Sequence, residues 1–162
     1  MAEVIEEDEV RAHIDAPADT LYAMVADVTR MPEWSPVCRR CEWLPGFDHA
    51  VPGARFRGHN VKAPFRWSRE CVVDVAEPGR ELAFHTLFKG QESTRWRYTF
   101  TPANGGTDVV EHYQAVLIPR WIGFLRRMPG ALRKTRRDAH LNIETSIERL
   151  KRIAESEAGA RR

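Results

Sequence analysis

No stretch of about eighteen uninterrupted apolar residues occurs in the 162-residue chain, so no membrane-spanning helix is expected. The first ten residues hold five carboxylates (Glu3, Glu6, Glu7, Asp8 and Glu9) and no base, whereas a secretory signal starts basic and continues apolar. Cysteine is scarce. Cys38, Cys41 and Cys71 cannot all pair within one chain, which argues against a disulfide scaffold and favours a reducing, cytoplasmic setting. Net charge is also small, +2 from 25 Lys plus Arg against 23 Asp plus Glu. Taken alone, that balance argues against a nucleic-acid-binding or membrane-coating protein. There is no internal repeat, low-complexity linker, nucleophile elbow, zinc-protease helix, phosphate loop or dinucleotide fingerprint. The expectation is therefore no cofactor and no resident metal.

What remains suffices for a core. With 43% hydrophobic and 30% charged residues, the chain fits one domain of ordinary size, expected over 1–154, followed by a polar, frayed tail over 155–162. Val4 to Ile14 reads as a strand ending at Pro17. A short helix opens at Ala18 or Asp19 and runs through Leu21, Tyr22, Val25 and Val28. Met31 to Pro36 carries two prolines and a second short helical turn. From Val37 to Leu117 the period changes to two, broken at Pro45-Gly46, Pro52-Gly53, Pro78-Gly79 and Asn104-Gly105-Gly106. Six strands are expected, near 39–44, 54–60, 65–76, 80–88, 93–101 and 107–117. Asn104-Gly105 is the strongest hairpin signal, because both residues tolerate the positive φ of a tight turn. Beyond Pro119 the chain reads as helical to about Ala158, with a break at Pro129-Gly130. Leu132, Ala139, Ile143, Ile147 and Leu150 share one stripe.

The fold class is thus α+β: a curved antiparallel sheet of about seven strands around a long C-terminal helix, with two short helices after the first strand. A sheet this small cannot close on its own side chains, so a cavity is expected between sheet and helix. The order of elements, the segment Ile14-Asp15-Ala16-Pro17-Ala18-Asp19, Glu33-Trp34-Ser35-Pro36, Gly105-Gly106-Thr107 and the closing Asn142-to-Leu150 helix resemble the START-like (SRPBCC) superfamily. Within it the chain resembles the bacterial polyketide cyclase/dehydrase and lipid-transport family. The resemblance implies a helix-grip fold with a deep, mostly apolar ligand cavity, but it does not imply one reaction. Carriage or sensing of a small to medium hydrophobic molecule (a lipid, polyketide or aromatic metabolite) is the leading expectation. A polyketide cyclase, aromatase or dehydratase in the same cavity is the alternative, and monomer and homodimer both fit.

Strand alternation nominates the cavity residues. Trp96, Tyr98 and Phe100 share one face, as do Leu82, Phe84, Thr86 and Phe88, and Trp67, Arg69, Cys71 and Val73. With Phe56 they form the apolar candidates. Val109, Glu111, Tyr113 and Ala115 form another inward face, which places a carboxylate inside, where it needs a cation, water or a ligand. Arg136, in the apolar stripe of the last helix, is the expected cation, with His140 at the stripe's edge and Arg39 pointing the same way. Glu111 and Arg136 form either a structural ion pair or a ligand site. In the similar plant hormone receptors a polar network recognises ligand oxygens, and Arg39, Trp96, Tyr98, Glu111 and Asn142 match its placement approximately. Acid/base chemistry would use Glu111, Tyr113, His59, His112 or His140, and the pattern selects none of them as catalytic.

Two segments stay open. Cys38-Arg39-Arg40-Cys41 has redox or metal spacing, but it sits at a strand start, no second pair follows it, and three buried thiols are the simpler expectation over a zinc site. From Arg120 to Arg137 there are seven basic residues and no acidic one, interleaved with Trp121, Ile122, Phe124, Leu125 and Met128. That run is either a solvated face over the cavity or a contact for an anionic membrane near the cavity mouth. No nucleic-acid module accompanies it.

Overall fold

A computed structural model of the chain describes residues 4–117, 124 and 130–161, with the backbone alone over 131–135. β1 (Glu6–Ile14) leads into α1 (Ala18–Ala26) and a 3-10 helix (Val28–Glu33). Then come β2 (Cys38–Trp43), β3 (Arg55–Lys62), β4 (Phe65–Glu77), β5 (Glu81–Phe88), β6 (Gln91–Ala103) and β7 (Gly106–Ala115). A long helix, α2, spans Ala131–Ala160. The strands form one antiparallel sheet in the order β1-β7-β6-β5-β4-β3-β2. This is the helix-grip arrangement, with an open seven-stranded sheet curved around the C-terminal helix.

Val28 belongs to the second short helix and not to α1. Asp27 ends α1 by accepting the Thr29 amide and hydroxyl (3.2 and 2.5 Å), which starts the 3-10 turn there. The expected hairpin at Asn104-Gly105 is present, both residues having positive φ (46° and 78°). Gly106 has a different reason: a side chain there would run into the Ile14 carbonyl. Beside it the buried Thr107 hydroxyl donates to the Ala16 carbonyl at 2.7 Å. These contacts fasten the start of β7 to the β1–α1 corner.

The expected frayed tail over 155–162 is corrected: α2 continues to Ala160. Ala154 is fully buried, and Glu155 accepts the Asp15 amide at 3.0 Å. Glu157 accepts from Arg30, which also forks onto Glu33. Polar composition does not fray a helix whose carboxylates meet fixed donors. Lys151 adds a hydrogen bond to the His13 carbonyl at 2.8 Å, and Ile147, Leu150 and Ala154 join Ile14, Leu21 and Val25 in one buried cluster. That cluster seals one end of the sheet, and the cavity occupies the rest of the space between sheet and helix.

Candidate functional site

The inner faces of β3 to β7, the segment from Met31 to Cys38 and the face of α2 carrying Ala139, Asn142, Ile143 and Ser146 enclose a cavity of about 410 Å³. That lies within the usual range for small-molecule sites, roughly 300–1,000 Å³. Its apolar wall is built by aromatic pairs. Phe56 and Phe84 meet edge to face at 5.1 Å between centroids, and the Trp96 and Tyr113 rings lie tilted to each other at 4.8 Å. Thr86 and Thr94 share a hydrogen bond of 2.6 Å across β5 and β6, and the Trp96 indole donates to the Thr94 hydroxyl. Of the faces expected from alternation, Trp67, Arg69, Cys71, Phe84, Thr86, Trp96, Tyr98, Glu111, Tyr113 and Ala115 line the cavity, whereas Phe88, beyond a register shift in β5 after Thr86, does not.

Glu111 is the polar centre. It is 1% exposed, although it lines the cavity. Its register partner on β6 is Tyr98, whose hydroxyl donates to Oε1 at 2.7 Å. Oε2 is buried and has no hydrogen-bond partner among the described residues. The Ser146 hydroxyl, hydrogen-bonding into the same cluster from α2, favours the charged forms of Glu111 and Tyr98, while Oε2 stays unpaired. The Trp34 indole reaches the Tyr98 hydroxyl from the 3-10 side. Burial pushes the Glu111 carboxyl up to about 7, against the opposing effect of Tyr98 and Ser146. Burial, then the Glu111 charge, raises the Tyr98 phenol well above its ordinary value.

Of the other expected site residues, Phe56, Trp67, Phe84, Trp96, Tyr98, Tyr113 and Asn142 line this cavity with Glu111, while Arg39, Arg136 and His140 do not. Arg136 is exposed and borders a surface depression with His140, Arg137 and the β1 start, Val4 to Asp8. The helical wheel gave Arg136 the right direction, but at the first turns of α2 that direction meets the start of β1 and not the cavity. His140 pairs with Asp8 at 2.8 Å. The expected Glu111–Arg136 pair is thus absent, and no cation contributes to the environment of Glu111 among the described residues. Arg39 is exposed because a bulge in β2 between Cys38 and Arg40 turns both arginines outward. The acid/base candidates His59 and His112 face away from the cavity, paired with Glu42 (2.9 Å) and Glu7 (3.7 Å).

Arg69 is a cation that does line the cavity, lying 5.0 Å from the Phe88 ring centroid. Burial lowers its pKa. Ser146 escaped notice in the sequence, although its position three residues after Ile143 and four before Leu150 puts it on the same helical stripe. Cys38 and Cys71 also line the cavity, and Cys41 is buried beside them. Among the described residues no group of three or more His, Cys, Asp or Glu is arranged to hold a metal ion.

Residues 7–155 match the family model described as polyketide cyclase / dehydrase and lipid transport. The chain belongs to this family. A member-like solution structure, the Polyketide_cyc-like protein Cgl2372 from Corynebacterium glutamicum, is 32% identical, with 98% of this chain and 96% of that one covered at a TM-score of 0.64. The di-domain ARO/CYC protein StfQ of the steffimycin biosynthetic pathway superposes at a TM-score of 0.76 with 19% identity over 96% of this chain. This chain spans about half of StfQ, 52% of its length. TTHA0849 from Thermus thermophilus shares the fold at a TM-score of 0.67 and 19% identity, covering 94% of this chain and 99% of that one. No curated protein matches the chain. The family and the cavity together make this a hydrophobic ligand-binding polyketide-cyclase-like domain.

A carboxyl at about 7 in the fold and at its ordinary 4.5 when unfolded makes the folded state hold the extra proton between those values. Its favourable contribution is complete below pH 4.5 and is lost as pH rises through about 7. Glu111→Gln removes that slope. Guanidinium unfolding should show the variant more stable than the parent by about 3 kcal/mol at about pH 8 and nearly equal at about pH 4.5. Parallel pH dependences in the two proteins would contradict the buried, neutral carboxyl.

Proposed function

We propose that the protein binds a small to medium hydrophobic molecule, such as a lipid, polyketide or aromatic metabolite, and carries or senses it. The observation that supports this most is the pairing of an aromatic-walled cavity of about 410 Å³ with one buried carboxyl whose Oε2 has no partner among the described residues. An unpaired buried polar atom is costly, on the order of 1–3 kcal/mol. A ligand hydroxyl or amide that reaches Oε2 recovers that cost, while its apolar body takes the wall between Phe56, Phe84 and Trp96. Protonated Glu111 instead donates to a ligand carbonyl, so the same group accommodates either oxygen chemistry near neutral pH. Arg39, Arg136 and His140 are withdrawn from this ligand site, and Arg69 and Ser146 join it.

The second reading is a cyclase, aromatase or dehydratase acting in the same cavity, and the observation favouring it is the carboxyl held at about 7. General acid/base catalysis works best with a pKa near the operating pH. StfQ is named as an ARO/CYC protein of a biosynthetic pathway, which is compatible with either reading here. Under the enzyme reading Glu111→Gln abolishes turnover and keeps binding. Under the carrier reading the same change weakens binding, with no reaction to lose.

The basic run from Arg120 to Arg137 is proposed as a contact for anionic membrane, delivering ligand at the cavity mouth. Most of it lies outside the described residues. Phe124 is 71% exposed, and Arg136 and Arg137 are exposed on the first turns of α2.

Two outcomes test these proposals. A Cβ at Gly58 meets only Asn60 Nδ2, at 3.9 Å, so Gly58→Phe directs a ring into the cavity at little cost to the fold. Native mass spectrometry of protein purified from its own host should show a ligand at one per chain, lost in Gly58→Phe. Equal ligand occupancy in the two proteins would remove the cavity as the binding site. In vesicle pelleting, phosphatidylserine vesicles should retain the protein in a salt-sensitive manner and phosphatidylcholine vesicles should not. Equal recovery on both would end the membrane proposal.

A further inference from the structure

Cys38 and Cys41 are three residues apart in β2, a spacing that places side chains on opposite faces of a regular strand. The bulge between Cys38 and Arg40 cancels that offset. Both thiols point inward and are buried, while Arg39 and Arg40 between them are exposed. Cys38 lines the cavity wall and Cys41 stands behind it. The Cys38 thiol donates to the Arg40 carbonyl at 3.4 Å, and the Cys38 backbone amide donates to the Ser35 hydroxyl at 3.1 Å. The bulge thus holds one thiol against the ligand space with a second thiol as its neighbour.

We propose that Cys38 is a nucleophile that captures a soft carbon electrophile, an α,β-unsaturated carbonyl compound, covalently inside the cavity. The site rests on the reading of that cavity as the ligand space. The two thiols are not equivalent. The Cys41 thiol, donating toward Cys38, lowers the Cys38 pKa against the effect of burial. The Arg40 and His59 backbone amides and the Arg39 charge act in the same direction. Cys38 in turn raises Cys41, helped by burial, and burial pushes the third thiol, Cys71, up to about 12. Of this pair Cys38 is the thiol that faces the ligand space, and thiolate is the attacking form.

The step balances without an oxidant or reductant. The Cys38 sulfur forms a bond to the β-carbon as the C=C π pair moves to give an enolate. The enolate α-carbon then takes a proton equivalent to the one Cys38 released, so the adduct equals thiol plus electrophile. A ligand of this class is retained by an S–C bond and not only by its apolar body, and compounds with an isolated carbonyl bind reversibly.

N-phenylmaleimide, an apolar electrophile of suitable size, tests this on the intact folded protein, with intact-mass time courses and peptide mapping. One adduct should form, on Cys38, before Cys41 or Cys71 reacts, whereas in guanidinium the three thiols should label at similar rates. A sulfonated maleimide that cannot enter an apolar cavity should label at least about tenfold more slowly than the neutral one. Cys38→Ser and Cys38→Ala should each lose the adduct while keeping the native circular dichroism spectrum. First labelling at Cys71 or Cys41, or native Cys38 labelling no faster than unfolding allows, would overturn the assignment. Normal non-covalent ligand occupancy with an inert Cys38 sinks this inference alone, and rapid Cys38 labelling in a protein without ligand sinks the carrier reading alone.

Discussion

The carboxyl of Glu111, buried with one oxygen on the Tyr98 hydroxyl and the other unpaired, is the constraint on which the rest of the site depends. An ionised carboxylate in that position would lose its hydration without a cation to replace it. The fold's answer is to raise its pKa to about 7, so that it holds a proton below that pH, and to surround it with oriented hydroxyls. That requires the β6–β7 register placing Tyr98 opposite Glu111, the Ser146 face of α2 above them and Trp34 alongside. The anchoring at the other end of the helix, through Lys151, Glu155 and Glu157, then serves the site by fixing where Ser146 stands.

The remaining cavity wall follows from sheet curvature and from side-chain size. Aromatic rings from β3, β5, β6 and β7 line a space that α2 covers with the small residues Ala139 and Ser146 and with Asn142. Gly58 leaves a gap where a side chain would otherwise project. The β2 bulge sets a second chemical feature, since it brings the Cys38 and Cys41 thiols to the same inner face. Carboxyl and thiol offer different chemistry to one ligand: a proton for an oxygen, and a nucleophile for a polarised carbon.

Much of this was legible in the sequence, because strand alternation has a strict period. The inward placement of Trp96, Tyr98, Glu111 and Tyr113 needed only that period, and Asn104-Gly105 marked its own turn. Failures occurred where a residue's neighbours are set by long-range geometry. Arg136 has the right angle on the helix but meets the start of β1, so the ion pair expected from burial cost is absent, and burial raises the carboxyl's pKa instead. A regular β2 would turn Arg39 inward, and the bulge that turns it out has no simple composition signal. The polar composition of the end of α2 reads as a tail, but Arg30 and the Asp15 amide hold its carboxylates.

The most direct test is titration of the Glu111 side-chain carbonyl carbon by 13C NMR, with the resonance assigned by its disappearance in Glu111→Gln. A midpoint near 7 is predicted, moving when ligand fills the cavity. A midpoint at the ordinary value of 4.5, unchanged by ligand, would contradict the account of a neutral, cavity-facing carboxyl.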